Sequence, residues 1–406
     1  MRHARVVIGS NFGDEGKGLM TDYFTRQAGG DGVLVVRFNG GAQAGHTVVA
    51  PDGRRHVFSH VGAGSLAGAD TLLARRFIAN PMLFASEREE LAAMDVTPRV
   101  FVDPRCLLTT PFDMILNEMV ETARGAARHG SVGLGINETV TRSDHPRFRL
   151  TVGDAIAFPA AVADHLRRIR AEWVPQRVAD LGLQREYECR RDLLGRDSLI
   201  DHWAHLLVAF LDSVTVSPDS DVLTTYDQVV FEGAQGLALD ETRGQFPHVT
   251  RSRTGIRNVA EILRGMPPTE VAVTYATRAY LTRHGAGPLD GELPGVPFPG
   301  VYDHTNVPHE FQGTLRYALL DVDRLRRRIQ DDFVDAACLA LSHAVRLDLA
   351  ITCLDQLPAD AAWSDGGNPT SGTHAELIHA AGGGLAGRVF AARGPTAHDV
   401  EVVSSD

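Results

Sequence analysis

Short apolar runs ending in glycine-rich loops alternate along this chain with longer stretches of helical spacing. Residues 5–9 predict a buried strand, 10–18 a glycine-rich loop and 19–28 a helix; 33–38 predict a second strand that exits into another glycine loop. Strand, tight loop, helix, strand is the opening of an α/β sheet protein. Helical spacing recurs at 84–95, 112–127, 157–180, 197–214, 255–265 and 374–381, and 321–342 predicts one long helix. Further strands are expected at 229–231, 270–275, 349–354 and 389–391. Residues 131–147 are glycine-rich and then polar without a clean period, which predicts a flexible loop. The expected organisation is one large α/β catalytic domain over 1–406, with a helical subdomain at 155–215.

Composition narrows the class. Charged residues make up 22% and apolar residues 44%, as in a globular protein. A net charge of -11 argues against a nucleic-acid footprint, which needs concentrated positive charge. Arg324, Arg326, Arg327 and Arg328 are flanked by Asp321, Asp323, Asp331 and Asp332, which predicts a solvated helix face. No apolar run approaches the roughly twenty residues of a membrane span, and no membrane partner is expected. No signal-peptide core precedes the first loop. The four cysteines have no metal spacing, and Cys338 and Cys353 lie in apolar surroundings that predict buried thiols. A reducing, cytoplasmic compartment is the expectation.

The chemistry concentrates in the first loop, Gly13-Asp14-Glu15-Gly16-Lys17-Gly18. Lys17 is the only lysine, against 39 arginines. Glycines allow close backbone approach, and a loop running into a helix forms an anion nest. The spacing is neither a Walker A motif nor a dinucleotide fingerprint. Two carboxylates in a phosphate nest suggest a magnesium ion beside a transferred phosphoryl group, with Lys17 offsetting its charge. A surface turn with an Asp–Lys ion pair is the plainer alternative. The second loop ends in Gly45-His46-Thr47, where a histidine at a strand's exit can donate a proton to a ligand or sit half-buried as a cap.

Taken together, these loops resemble the adenylosuccinate synthetase family. The likeness continues through Phe231-Glu232-Gly233-Ala234-Gln235-Gly236, Phe246-Pro247-His248-Val249-Thr250, Tyr280-Leu281-Thr282-Arg283, Thr352-Cys353-Leu354-Asp355 and Gly394-Pro395. It implies a large, mostly parallel central sheet flanked by helices. It also implies a reaction in which GTP phosphorylates the 6-oxygen of IMP and an amino group then displaces the phosphate. Asp14 would be the base at purine N1 and a magnesium ligand, with the Gly45 carbonyl as a second ligand. His46 would be the acid, and Lys17 would contact phosphates within a loop built by Gly13, Glu15, Gly16 and Gly18. Gln43, Gln235, Thr250, Arg283 and Arg316 would face the substrates. Arg147 would reach the acceptor phosphate across a homodimer. Asp355 would pair with guanine, beside Gly394 and Pro395.

The chain departs from the family pattern in its substrate-binding segments. Glu310-Phe311-Gln312-Gly313-Thr314-Leu315-Arg316-Tyr317-Ala318 replaces an arginine-rich segment that binds the amino acid's carboxylates, and it retains one arginine. Arg251, Arg253 or Arg283 are candidate replacements. Ser131-Val132-Gly133-Leu134 lacks a hydroxyl and an arginine of the family, and Cys353 stands for the lysine beside guanine. Three readings follow: an IMP-dependent ligase using an amino acid amine, a specialised ligase with a different amine or acceptor, and a GTP-binding paralogue without catalysis.

Overall fold

The computed structural model describes residues 1–267, 269–306, 312–340 and 342–403. Ten strands form one sheet in the order Val400–Val403, Val389–Ala392, Ala344–Thr352, Glu270–Arg278, His3–Gly9, Gln228–Gly236, Val33–Arg37, Asp70–Leu73, Val100–Val102 and Thr215–Val216. Every neighbouring pair is parallel except the first. A parallel sheet covered on both faces needs strands that are apolar throughout. Val6, Val7 and Ile8 are accordingly fully buried.

The order of strands creates the crevice. His3–Gly9 is followed by the helix Lys17–Gln27 and then Val33–Arg37, yet Gln228–Gly236 lies between those two strands. Loops leaving the carboxyl ends of His3–Gly9, Gln228–Gly236 and Glu270–Arg278 therefore converge where α/β sheets bind ligands.

A second hydrophobic cluster lies beyond the sheet. Helices Val162–Arg168, Val174–Leu181 and Asp197–Asp212 bury Leu166, Val178, Trp203 and Phe210 against Phe84, Phe112 and Leu116. Gln184–Leu194, which no apolar period announced, is also helical. Only Leu194 among its residues is buried, so it carries almost no apolar stripe.

Four expectations need correction. The loop predicted at 131–147 contains the helix Ile136–Ser143, whose buried face includes Glu138 and Arg142. Charged residues on the inner face erased the apolar period. Arg142 is satisfied there by Asp113 (2.9 Å from both Nε and Nη2) and by the carbonyls of Phe148 and Leu108. The helix expected at 321–342 is not one regular element: Val322–Phe333 passes through a 3-10 turn, Val334–Ala336, into the short helix Ala337–Ala340. Cys338 is exposed rather than buried, and Cys353 is half-buried. The arginine cluster is only partly a solvated face: Arg328 donates Nη1 to the Ser10 carbonyl (3.1 Å) and the Asn11 side chain (2.5 Å) beneath the first glycine loop. No described helix is long and apolar enough to cross a membrane.

Candidate active site

The first loop folds around a carboxylate. Glu15 accepts from the backbone N–H of Asn11 (2.8 Å) and Gly13 (2.9 Å) and from Lys17 Nζ (3.0 Å). Glu15 and Lys17 are both almost fully buried. A methyl carbon at Gly9 would lie 2.3 Å from the Glu15 carboxylate and one at Gly236 2.8 Å, so both strands that flank it must carry glycine. The plainer surface-turn alternative does not describe this loop. Its lysine–acid pair is internal, formed by Glu15 rather than Asp14. Lys17 opens the helix Lys17–Gln27, whose free N–H groups face the same end. Thr352 bonds the Glu15 carbonyl (3.2 Å) and ties the loop to the strand that leads to Asp355.

His46 opens the strand His46–Val49 and pairs with a buried acid. Its Nδ1 lies 2.6 Å from Glu232 Oε1, and Glu232 Oε2 accepts from the Ala63 N–H (3.0 Å) with Arg37 Nε at 3.9 Å. Burial pushes the His46 pKa down to about 4 against the pull of Glu232, with Arg37 adding to the fall. Burial opposes ionisation of Glu232, but His46 and Arg37 hold its pKa below the ordinary value. An ionised carboxylate only accepts, so His46 carries its proton on Nδ1 and presents a bare Nε2. That nitrogen is buried and has no partner among the described residues.

Asp14 adopts a left-handed backbone (φ 60°), as do Gln235 (65°) and Cys353 (62°). Such conformations are uncommon for non-glycine residues and gather at functional positions. Asp14 Oδ2 stands 3.1 Å from His284 Nε2, and its carbonyl accepts from Arg278 Nε. Burial disfavours the Asp14 carboxylate, yet His284, Arg278 and Lys17 together hold its pKa below the ordinary value. Lys17 acts electrostatically on both Asp14 and His46.

The second loop is joined to Gln228–Gly236 by Asn39, which exchanges two hydrogen bonds with the backbone of Ala234 (2.8 and 3.1 Å). Gln43 and Gln235 lie beside this junction, and both polar atoms of the Gln43 amide are buried without a partner among the described residues. Thr250 is anchored by its N–H to Leu239. Asp355 is exposed on the turn Leu354–Gln356, where burial raises its pKa and Asp399, in the segment after Gly394 and Pro395, adds to the rise.

The expected carboxylate-binding arginines are occupied. Arg316 bonds Glu292 and the carbonyls of Gly285 (2.9 Å) and Gly287 (2.8 Å). Arg283 bonds the carbonyls of Pro288 and His248 and stacks over Phe12 at 4.5 Å, and burial pushes its pKa down to about 10. Arg251 pairs with Asp144 (2.7 Å) and Arg253 with Glu261 (3.1 Å). Arg147 is exposed, away from these loops in the bonding pattern, and pairs with Glu172 (2.7 Å). Glu310 and Phe311, at the start of the altered segment, lie outside the described residues.

Comparison with known proteins decides the family. The sequence model described as adenylosuccinate synthetase matches residues 6–330. The chain belongs to the adenylosuccinate synthetase family. It is 31% identical over 346 residues to the adenylosuccinate synthetase of Vibrio cholerae, covering 82% of this chain and 75% of that protein. It is 31% identical over 342 residues to that of Pseudomonas fluorescens, covering 82% and 76%. In fold it is similar to the fully ligated adenylosuccinate synthetase of Plasmodium falciparum (TM-score 0.67, 15% identity, 98% and 99% of the two chains). It is also similar to the succinoaminodeoxyadenylate synthetase of cyanophage S-2L, solved with dGMP and with dATP as energy donor (TM-score 0.60, 17% identity, 99% and 95%). As a member of the adenylosuccinate synthetase family it is a GTP-dependent ligase that forms a carbon–nitrogen bond.

Several residues of this adenylosuccinate synthetase relative escaped the sequence reading. Glu232 lies within the 231–236 motif, where a lone carboxylate in an apolar strand is the available signal. His284 follows Arg283 without any pattern to mark it. Asn39, Arg278 and Arg328 act through contacts between segments distant in sequence, which no local spacing encodes.

Proposed function

We propose that this ligase phosphorylates the 6-oxygen of IMP or a related purine nucleotide with GTP and then joins the activated carbon to an amine. The convergence of Asp14, Lys17 and the His46–Glu232 pair at the carboxyl ends of adjacent strands carries the reading. Pure GTP binding needs neither a base nor an acid. In the first step Asp14 takes the N1 proton and electron density moves onto O6. O6 then bonds the γ-phosphorus as the bridge to GDP breaks. His46 Nε2, bare in the free protein, takes up a proton from solvent as phosphoryl charge arrives and then donates a hydrogen bond to that charge. In the second step the amine nitrogen bonds C6 as the C6–O6 bond breaks, phosphate leaves carrying O6, and the nitrogen releases a proton to solvent.

Magnesium fits the donors in this loop. The Glu15 oxygens are consumed by Asn11, Gly13 and Lys17, while Asp14 Oδ1 has no partner among the described residues and Gly45 is exposed. A carboxylate and a carbonyl are hard oxygen ligands suited to an ion that also binds phosphates and water. The ion would neutralise phosphate charge during transfer, held by Asp14 and Gly45. Lys17 and the loop Gly13–Gly18 would bind the triphosphate. Asp355 would accept two hydrogen bonds from guanine, next to Gly394 and Pro395. Gln43, Gln235 and Thr250 would contact the acceptor.

A second reading, in which the amine is not aspartate, is favoured by the occupied state of Arg316, Arg283, Arg251 and Arg253. A dicarboxylate wants free guanidinium forks. The test holds GTP and IMP fixed, varies amino acids and other amines, and records phosphate release with product mass. Product with aspartate at ordinary concentrations would reject the second reading; no product with IMP and any amine would reject the acceptor. We further propose a homodimer in which Arg147 serves the partner's acceptor phosphate. Arg147→Ala should weaken acceptor binding about tenfold and leave GTP affinity unchanged; equal losses in both would remove that role.

A further inference from the structure

Asp14 is held by polar contacts that the phosphoryl-transfer scheme does not use. Arg278 donates Nε to the Asp14 carbonyl and Nη2 to Asp303 Oδ2 (2.9 Å). Asp303 accepts from the N–H groups of Thr305 and Asn306 (both 2.9 Å) and from Asn306 Nδ2 (2.9 Å). The Asp303 charge acts on the His284 imidazole, whose Nε2 stands 3.1 Å from Asp14 Oδ2 and whose Nδ1 is buried without a partner among the described residues. The backbone of Asp14 is thus held by Arg278, at the end of the strand Glu270–Arg278, and its carboxylate by His284, just past the strand Tyr280–Arg283, while Asp303, in the segment 303–306, braces Arg278. Thr305 also meets Thr47 (3.3 Å) and Arg55 (2.8 Å) on the hairpin that starts at His46, so the same segment touches both sides of the site.

The need for such a grip follows from Asp14 itself. Its left-handed backbone leaves the side chain at the tip of a glycine-flanked turn, where a carboxylate would otherwise sample several rotamers. A base is useful only when one lone pair faces the proton it takes. With Oδ2 occupied by His284, Oδ1 is the oxygen left for substrate or metal. An ionised carboxylate cannot donate, so the nitrogen facing it carries the proton.

We propose that His284 is a positioning residue for the phosphorylation step, fixing the Asp14 carboxylate through Oδ2 so that Oδ1 meets the acceptor's N–H. This rests on the reading of Asp14 as the base. It also assigns a use to a residue in a stretch otherwise read only for its arginine and glycines. His284 touches Asp14 and not the reacting atoms, so it acts through orientation.

The test compares His284→Leu, which keeps bulk but removes the donor, with His284→Gln, which keeps an N–H near the same place. Phosphorylation is followed without amine, by positional isotope exchange in GTP labelled with ¹⁸O at the β,γ-bridge and incubated with IMP. His284→Leu is expected to lower the exchange rate about 10²-fold with the GTP KM unchanged. His284→Gln should stay within about tenfold of the parent. Exchange in His284→Leu within about threefold of the parent would overturn the inference. Crystal structures of the Leu and Gln variants supply a readout independent of the acceptor. An Asp14 carboxylate unmoved in His284→Leu also overturns it, and a carboxylate turned in Leu but held in Gln supports it. If the parent protein shows no exchange with IMP, the proposed acceptor fails, and the carboxylate orientation in the two variants decides the role of His284.

Discussion

Lys17 and Arg316 are both cations that the family likeness places against substrate, yet their surroundings differ. Lys17 is buried against Glu15, whose carboxylate also gathers two loop N–H groups, so the pair fixes the shape of the first loop. Arg316 is spent on Glu292 and two glycine carbonyls, so its fork braces the loop at 285–287. One region is organised before any ligand arrives, with His46 Nε2 and Gln43 left unpaired and buried. The other spends Arg316 on local structure and leaves Arg283 only its Nε buried without a partner among the described residues. Phosphoryl transfer depends on fixed dipoles and charges aimed at developing charge. Recognition of the amine depends on forks that are free to meet it. If Lys17 and His46 serve phosphoryl transfer as proposed, the difference places tighter geometric demand on the energy-using step than on the choice of amine.

The strongest way to break this comparison is at Asp14. Asp14→Asn should lower phosphoryl transfer by about 10³-fold while leaving the thermal midpoint within a few degrees. Phosphate release and a melting curve measure the two effects, and turnover near that of the parent would locate the base elsewhere.

A pH series probes the His46–Glu232 pair. His46 is held neutral with a pKa near 4, below its ordinary 6.5, so the folded form binds that proton less readily than the unfolded chain. Stability contributed by the neutral ring is complete above about pH 6.5 and drains as pH falls toward 4, by about 3 kcal/mol at most. Urea unfolding of the free protein from pH 7.5 to 4 should show this loss, and His46→Gln should flatten it. An unchanged slope in the variant would mean that His46 titrates normally.

The smallest effect sharpens the other side. Arg316→Ala should change the KM for the preferred amine by less than about threefold, because its fork already bonds Glu292 and the loop. A rise of about 10²-fold would return a carboxylate to Arg316 and restore aspartate as the leading amine.

Much of the architecture was legible because it depends on local pattern. Apolar runs at 5–9, 229–231 and 270–275 are buried on both faces and appear as central strands. The helix at Ile136–Ser143 was missed because its inner face carries Arg142 and Glu138, which pair with Asp113 and Arg177. Arg328 was read as solvated from its acidic neighbours in sequence, whereas its partners are Ser10 and Asn11, more than three hundred residues away.

The sequence by itself determined the α/β class, the family likeness and the segments where chemistry gathers, since glycine spacing, apolar runs and motif order are written locally. Tertiary structure alone decided which charges are free. Glu15 rather than Asp14 pairs with Lys17, because Gly9 and Gly236 leave room for its carboxylate between two strands. His46 is held neutral by burial beside Glu232, and Asp14 is gripped by His284 and Arg278 from another strand pair. Charge state and orientation follow from burial and from partners distant along the chain, and those exist only once the sheet has assembled.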